Sequence, residues 1–165
     1  MPFTASSSLS STDGNNMLRG LHRNNATTTL TGALAETDLS SFTMTGGTMG
    51  ATGMLDIEAA GTITGVAGTK RIRLLLGASV LIDMPAAAGT ADWWLHARIY
   101  NTAANAQRIV VEWSDHTTVT NFNKDYVTTA VDTATNIIIK LTGTPAGAGD
   151  TINQTVFDIL VAQIA

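Results

Sequence analysis

The groups in this chain that can move protons or hold metals are few. There are three histidines, His22, His96 and His116, and no cysteine. Neutral imidazole ligates metals and serves as a general base. No two of these histidines are close in sequence, and neither an HxH nor an HExxH spacing occurs, so a histidine metal site has no support. Without cysteine, disulfides, thiolate catalysis and cysteine metal sites are excluded. Asp115-His116 could serve a triad with a serine elsewhere, but nothing resembles a GxSxG elbow. The aspartates from Asp83 onward fall mostly at expected strand ends, where Asp bonds its own backbone in turns. No DxDxDG spacing supports a calcium loop. The glutamates are Glu36, Glu58 and Glu112. Glycoside hydrolysis needs two convergent carboxylates, and nothing in this spacing shows convergence. The expectation is no catalytic residue, no metal and no cofactor, hence no enzyme.

The aromatic residues are more informative. Trp93, Trp94 and Trp113, with Tyr100, form the one concentration. On a strand, Trp93 and Trp94 must point to opposite faces. One then belongs to the core. The other shares the outer face with His96, Arg98 and Tyr100. An exposed aromatic beside Arg serves as an interface hot spot or a sugar platform. Trp94, Arg98 and Tyr100 are therefore the candidate sheet-face contact, with an interface or a covering N-terminal arm favoured over a sugar site.

Alternation predicts the strands that carry them. Residues 93–100 (WWLHARIY) put Trp93, Leu95, Ala97 and Ile99 on one face. Residues 108–113 (RIVVEW), 136–141 (NIIIKL) and 151–164 (TINQTVFDILVAQI) repeat the pattern. Residues 70–84 read as two strands, or as one bent at Gly77. Residues 29–34 and 41–45 are short polar strands. The run 46–53 (GGTMGATG) is a loop, and Gly61, Gly65 and Gly68 cut 54–57 and 61–64 into short pieces. Residues 101–107 read as a long sandwich loop, and 119–122 and 126–127 as weak strands. Residues 33–39 have room for one helical turn at most. Eight or so short strands between turn clusters predict an all-β antiparallel sandwich, with the jelly roll favoured.

Composition bounds the partners. A chain of 165 residues predicts one domain with a proper core. Charged residues make up 13%, against about 25% in typical soluble domains. This low-charge, Thr-rich surface suits packing against other molecules. The net charge of −4 argues against nucleic acid, and Lys70, Arg71 and Arg73 read as a solvated rim. No apolar run reaches the ~20 residues of a membrane span. The first residues lack the pattern of a signal peptide, so synthesis in the cytoplasm is expected.

Residues 1–28 are rich in Ser, Thr and Asn with no sustained period. They predict an extended N-terminal arm ahead of a sandwich domain over 29–165. Leu18, Arg19 and Leu21 are its candidate docking residues. Deleting 1–28 is expected to leave a folded domain.

The order of pieces from Lys70 to Ala165 carries a resemblance. A WWLHARIY strand, a small polar loop, RIVVEW, then TAVDTATNIIIKL and a closing TINQTVFDIL strand resemble the C-terminal half of jelly-roll domains in tailed-bacteriophage virion proteins. KRIRLLLGASVLID is similar to that family's early strand, glycine turn and strand. The resemblance implies a virion component without catalytic motif: a capsid decoration (cement) protein, or else a fibre, neck or tail-tip module, for which the outer aromatic face or the strand-end loops would be the place to hold a host-surface glycan. It also implies a homo-oligomer, a trimer first, with the major capsid or another virion protein as partner.

Overall fold

The computed structural model describes residues 18–32, 35–65, 68–86, 89–115 and 122–162. Eleven strands and no helix occupy them: β1 Arg19–Asn24, β2 Thr28–Thr31, β3 Thr37–Met44, β4 Met54–Thr64, β5 Lys70–Leu76, β6 Ser79–Ala86, β7 Ala91–Ala103, β8 Ala106–Ser114, β9 Phe122–Thr129, β10 Ile137–Thr144 and β11 Thr151–Ala162. They pair into two antiparallel sheets. The larger runs β1-β11-β4-β7-β8-β9, with β2 continuing the β1 side of β11, and the smaller runs β3-β10-β5-β6. Taking β1 and β2 as one broken edge strand, the order nests the first strand beside the last in each sheet. That is the jelly roll, an all-β antiparallel sandwich. β8 and β9 are added to the rim of its larger sheet.

Period-two sequences make the core. Trp93, Leu95, Ala97 and Ile99 of β7 point inward and are buried, as are Ile109 and Val111 of β8. Ile137, Ile139 and Leu141 of β10 and Phe157, Ile159 and Val161 of β11 close over them. Among the described residues no helix is long and apolar enough to cross a membrane.

Several expectations are corrected. Residues 19–28, assigned to an arm, include β1 and the first residue of β2, and β1 pairs with β11 from Arg19 to Asn24. Residues 1–17 lie outside the described set. Gly61 does not cut 54–64 into pieces, because β4 is one strand of 11 residues. A Cβ on Gly61 would collide with the Asn153 carbonyl oxygen and sit 2.7 Å from the Trp93 ring. Close approach explains this glycine, not a turn. Residues 101–107 are a tight hairpin, since β7 extends to Ala103 and only Ala104 and Asn105 turn. Residues 33–34 are outside the described set, and Thr37–Leu39 open β3 rather than a helical turn.

Lys70 is no solvated rim residue. Its side chain is fully buried, with Nζ 3.6 Å from the Asp150 carboxylate and donating to the Gly65 carbonyl at 3.1 Å. Asp150 in turn accepts from the Ala146 N–H at 3.2 Å. A second buried polar cluster ties the opposite turns. Asn101 donates to Gly50 O and Thr133 Oγ1, while Gln107 donates to Asn101 Oδ1 and Val131 O.

Candidate functional site

The outer face of the large sheet is built by register. Outward positions of β7 are Trp94, His96, Arg98 and Tyr100. Across β4 they face Ala60, Glu58, Asp56 and Met54, and across β8 they face Ser114, Glu112, Val110 and Arg108. β9 extends the rows with Phe122, Lys124, Tyr126 and Thr128. Directly opposed side chains on one face interact. Each row is therefore a line of contacts running across four strands.

The middle rows are charged. His96 Nε2 lies 2.9 Å from Asp56 Oδ1, and Arg98 Nε donates to Asp56 Oδ2 at 3.1 Å. His96 Nδ1 lies 3.8 Å from Glu112 Oε2, and Lys124 donates to Glu112 Oε1 at 2.7 Å. The hydrogen bond with His96, helped by Arg98, holds the Asp56 carboxyl below its usual range against partial burial. The same bond raises the His96 imidazole against partial burial and the Arg98 charge. Lys124 lowers Glu112. The first row is aromatic. Trp94 Nε1 donates to Glu58 Oε1 at 3.0 Å, and its ring lies 6.2 Å from the Phe122 ring, the planes 19° apart. Ser114, between them on β8, is buried at this outer position. Below this pair, His96, Arg98, Tyr100, Val110, Glu112 and Lys124 line an open depression of about 200 Å³.

Trp94, Arg98 and Tyr100 thus share the expected face, with Trp94 half-buried and Arg98 and Tyr100 exposed. The arm residues are elsewhere. Leu18 is exposed just before β1, and Arg19 is exposed on β1 at the far edge. Leu21 is half-buried and packs against the core, so it is a strand residue of the sandwich and not a free anchor. β11 and β4 separate β1 from β7, and the two expected groups do not meet. Sequence reasoning missed Asp56, Glu58, Phe122, Lys124 and Tyr126. Their only signal was alternation, LDIE in one strand and FNKDY in another. His22 stacks on Phe42 at 5.1 Å and meets Phe157 edge-on, which makes it a packing residue. His116 lies outside the described residues. No group of three or more His, Asp or Glu side chains is placed to hold a metal among the described residues.

No protein-family model matches this chain, and among curated proteins none matches. Solved structures similar to it include the lectin UEA-II complexed with galactose. That pair aligns at a TM-score of 0.40 and 7% identity, over 90% of this chain and 93% of the other. Lectin I from Ulex europaeus, in complex with the methyl glycoside of α-L-fucose, aligns at 0.44 and 9%, over 94% and 95%.

Proposed function

We propose that this chain is a non-enzymatic structural protein of a tailed-bacteriophage virion, a capsid decoration protein first, that works by surface contact. The observation carrying this is the uncovered rim of the large sheet. β8 and β9 extend beyond the nested framework, and Phe122 and Tyr126 remain 58% and 57% exposed beside Trp94, Arg98 and Tyr100. Interfaces are enriched in large aromatics and Arg, with charged and polar residues around them at the rim. A decorating protein adds weak contacts many times over on a repeating shell, and multivalency makes them strong. The resemblance of the strand order from Lys70 onward supplies the virion setting.

Quantitative mass spectrometry of purified particles from the source phage tests this reading. A copy number comparable to the major capsid protein is expected. A small count assigns the chain to a fibre, neck or tail module, and absence from particles rejects the virion setting.

A second reading has its own observation. The near-parallel Trp94 and Phe122 rings beside the depression between Arg98 and Lys124 form a platform on which a sugar ring could stack. Host-surface glycan added to the protein should then quench tryptophan fluorescence, and Trp94→Ala should abolish that change. An unchanged signal removes this reading.

A further inference from the structure

Among the described residues, four edges bound the sandwich: β1 with β2, β9, β3 and β6. An open edge is a template for another strand, and proteins blunt edges with prolines, bulges, short length or charged side chains, lysine above all. Three of these are blunted. The first edge is bulged between Gly20 and His22 and interrupted between Asn24 and Thr28. β3 meets β10 through a bulge. β6 carries Pro85 and is bulged against β5. The β9 backbone differs, because it pairs with β8 position by position over eight residues with no bulge, proline or glycine, and its two charges, Lys124 and Asp125, are bonded within the chain, to Glu112 and to the Tyr126 N–H. None of its eight residues is buried, on either face. The Tyr126 N–H donates to the Asp125 carboxylate at 2.7 Å, a side-chain acceptor that a neighbouring strand's carbonyl would replace.

We infer that the β9 edge receives β9 of a second copy, joining two large sheets into one across a two-fold axis. The occupant follows from self-complementarity. A two-fold at a sheet edge makes the strands antiparallel and keeps outer face beside outer face. Centred on Lys124, it sets Phe122 opposite Tyr126 of the second copy, twice, as aromatic cross-strand pairs. On the inner face Asn123 meets Asp125, donor against acceptor. Lys124 meets its own copy, but each ammonium is held by a Glu112 carboxylate at 2.7 Å. Centring on Asp125 instead brings two carboxylates together and sets Phe122 against Thr128. The pairing deepens the assembly reading above, with a two-fold in place of the three-fold that the resemblance implies.

Light scattering coupled to size exclusion tests this on the full chain, from micromolar to near-millimolar concentration. A concentration-dependent dimer is expected. Tyr126→Pro removes the edge N–H and should give monomer with an unchanged circular dichroism spectrum. If that variant does not fold, Lys124→Glu serves instead. It leaves like charges facing across the axis and beside Glu112, and it should also halve the mass. The chain has no cysteine, so Lys124→Cys with a short bismaleimide should cross-link copies, and Asp38→Cys on the β3 edge should not. A monomer at all concentrations overturns the inference. So does a trimer, or a dimer that survives whichever of the two edge variants folds. Particle copy number does not depend on these outcomes, so the virion reading is judged separately.

Discussion

His96 sits between Asp56 and Glu112 on the outer face, and its charge state sets how well that face is held. Its folded pKa is raised, so its contribution is complete below about pH 6.5, the unfolded value, and is lost as pH rises through the folded value. Asp56 is lowered, so its contribution is complete above about pH 3.9 and is lost as pH falls through its folded value. The pair therefore stabilises most between those limits. NMR titration should place the His96 imidazole midpoint above that of an exposed histidine, and Asp56→Asn should bring it down. The melting-temperature difference between wild type and Asp56→Asn should peak in that window and shrink on both sides. A flat difference would show that the pair adds nothing to stability. Lys70 poses the opposite case, a fully buried ion pair with Asp150. Removing one partner of such a pair costs about 3–5 kcal/mol. Asp150→Ala should show that loss in urea unfolding. Alternation revealed which face His96 occupies, because period two needs only neighbouring residues. It could not reveal Asp56 as partner, 40 residues away, or the burial of Lys70, which the fold imposes through Gly65 and Asp150.

At the scale of elements, β4 shows how a local rule is overridden. Its glycine at 61 reads as a strand breaker, yet it lies mid-strand, where β11 bulges and the Trp93 indole crosses. The Trp93 Nε1 donates to the Asn153 carbonyl at 3.1 Å, which draws ring and backbone over the glycine. A methyl group there has no room. Gly61→Ala should cost about 1–3 kcal/mol, as overpacking does, and the near-ultraviolet signal of Trp93 should change with it. A neutral Gly61→Ala would mean that β11 yields easily. The strands with clean alternation, β7, β8, β10 and β11, were legible because each has one buried face. β9 was legible only in part. Only Val127 and Thr129 of its inner face are half-buried, so burial imposed little pattern on it.

The described sandwich closes by pairing β1 with β11, and that closure reverses one expectation. With residues 1–28 taken as an arm, their deletion would leave a folded domain. In the structure, β1 covers one side of β11 from Phe157 to Val161, and the half-buried Leu21 packs on the core. Residues Thr28–Thr31 cover the rest of that side, from Thr151 to Gln154. Asn24 also donates to Ser40 of β3 at 3.0 Å, tying the first strand to the other sheet. Nothing in residues 19–24 alone announces this. The strand is short, Leu21 is its one large apolar residue, and its partner lies 135 residues away. Deletion of 1–17 leaves every described strand in place and should leave the melting temperature within a few degrees of the full chain. Deletion of 1–28 removes β1, opens half of β11 as a long apolar edge and exposes Phe157 and His22's stacking site on Phe42. Such edges pair promiscuously. The longer deletion should lower the melting temperature sharply and raise light scattering at room temperature. If both deletions melt alike and stay monodisperse, β1 is dispensable, and the sandwich is held by β2 through β11 alone.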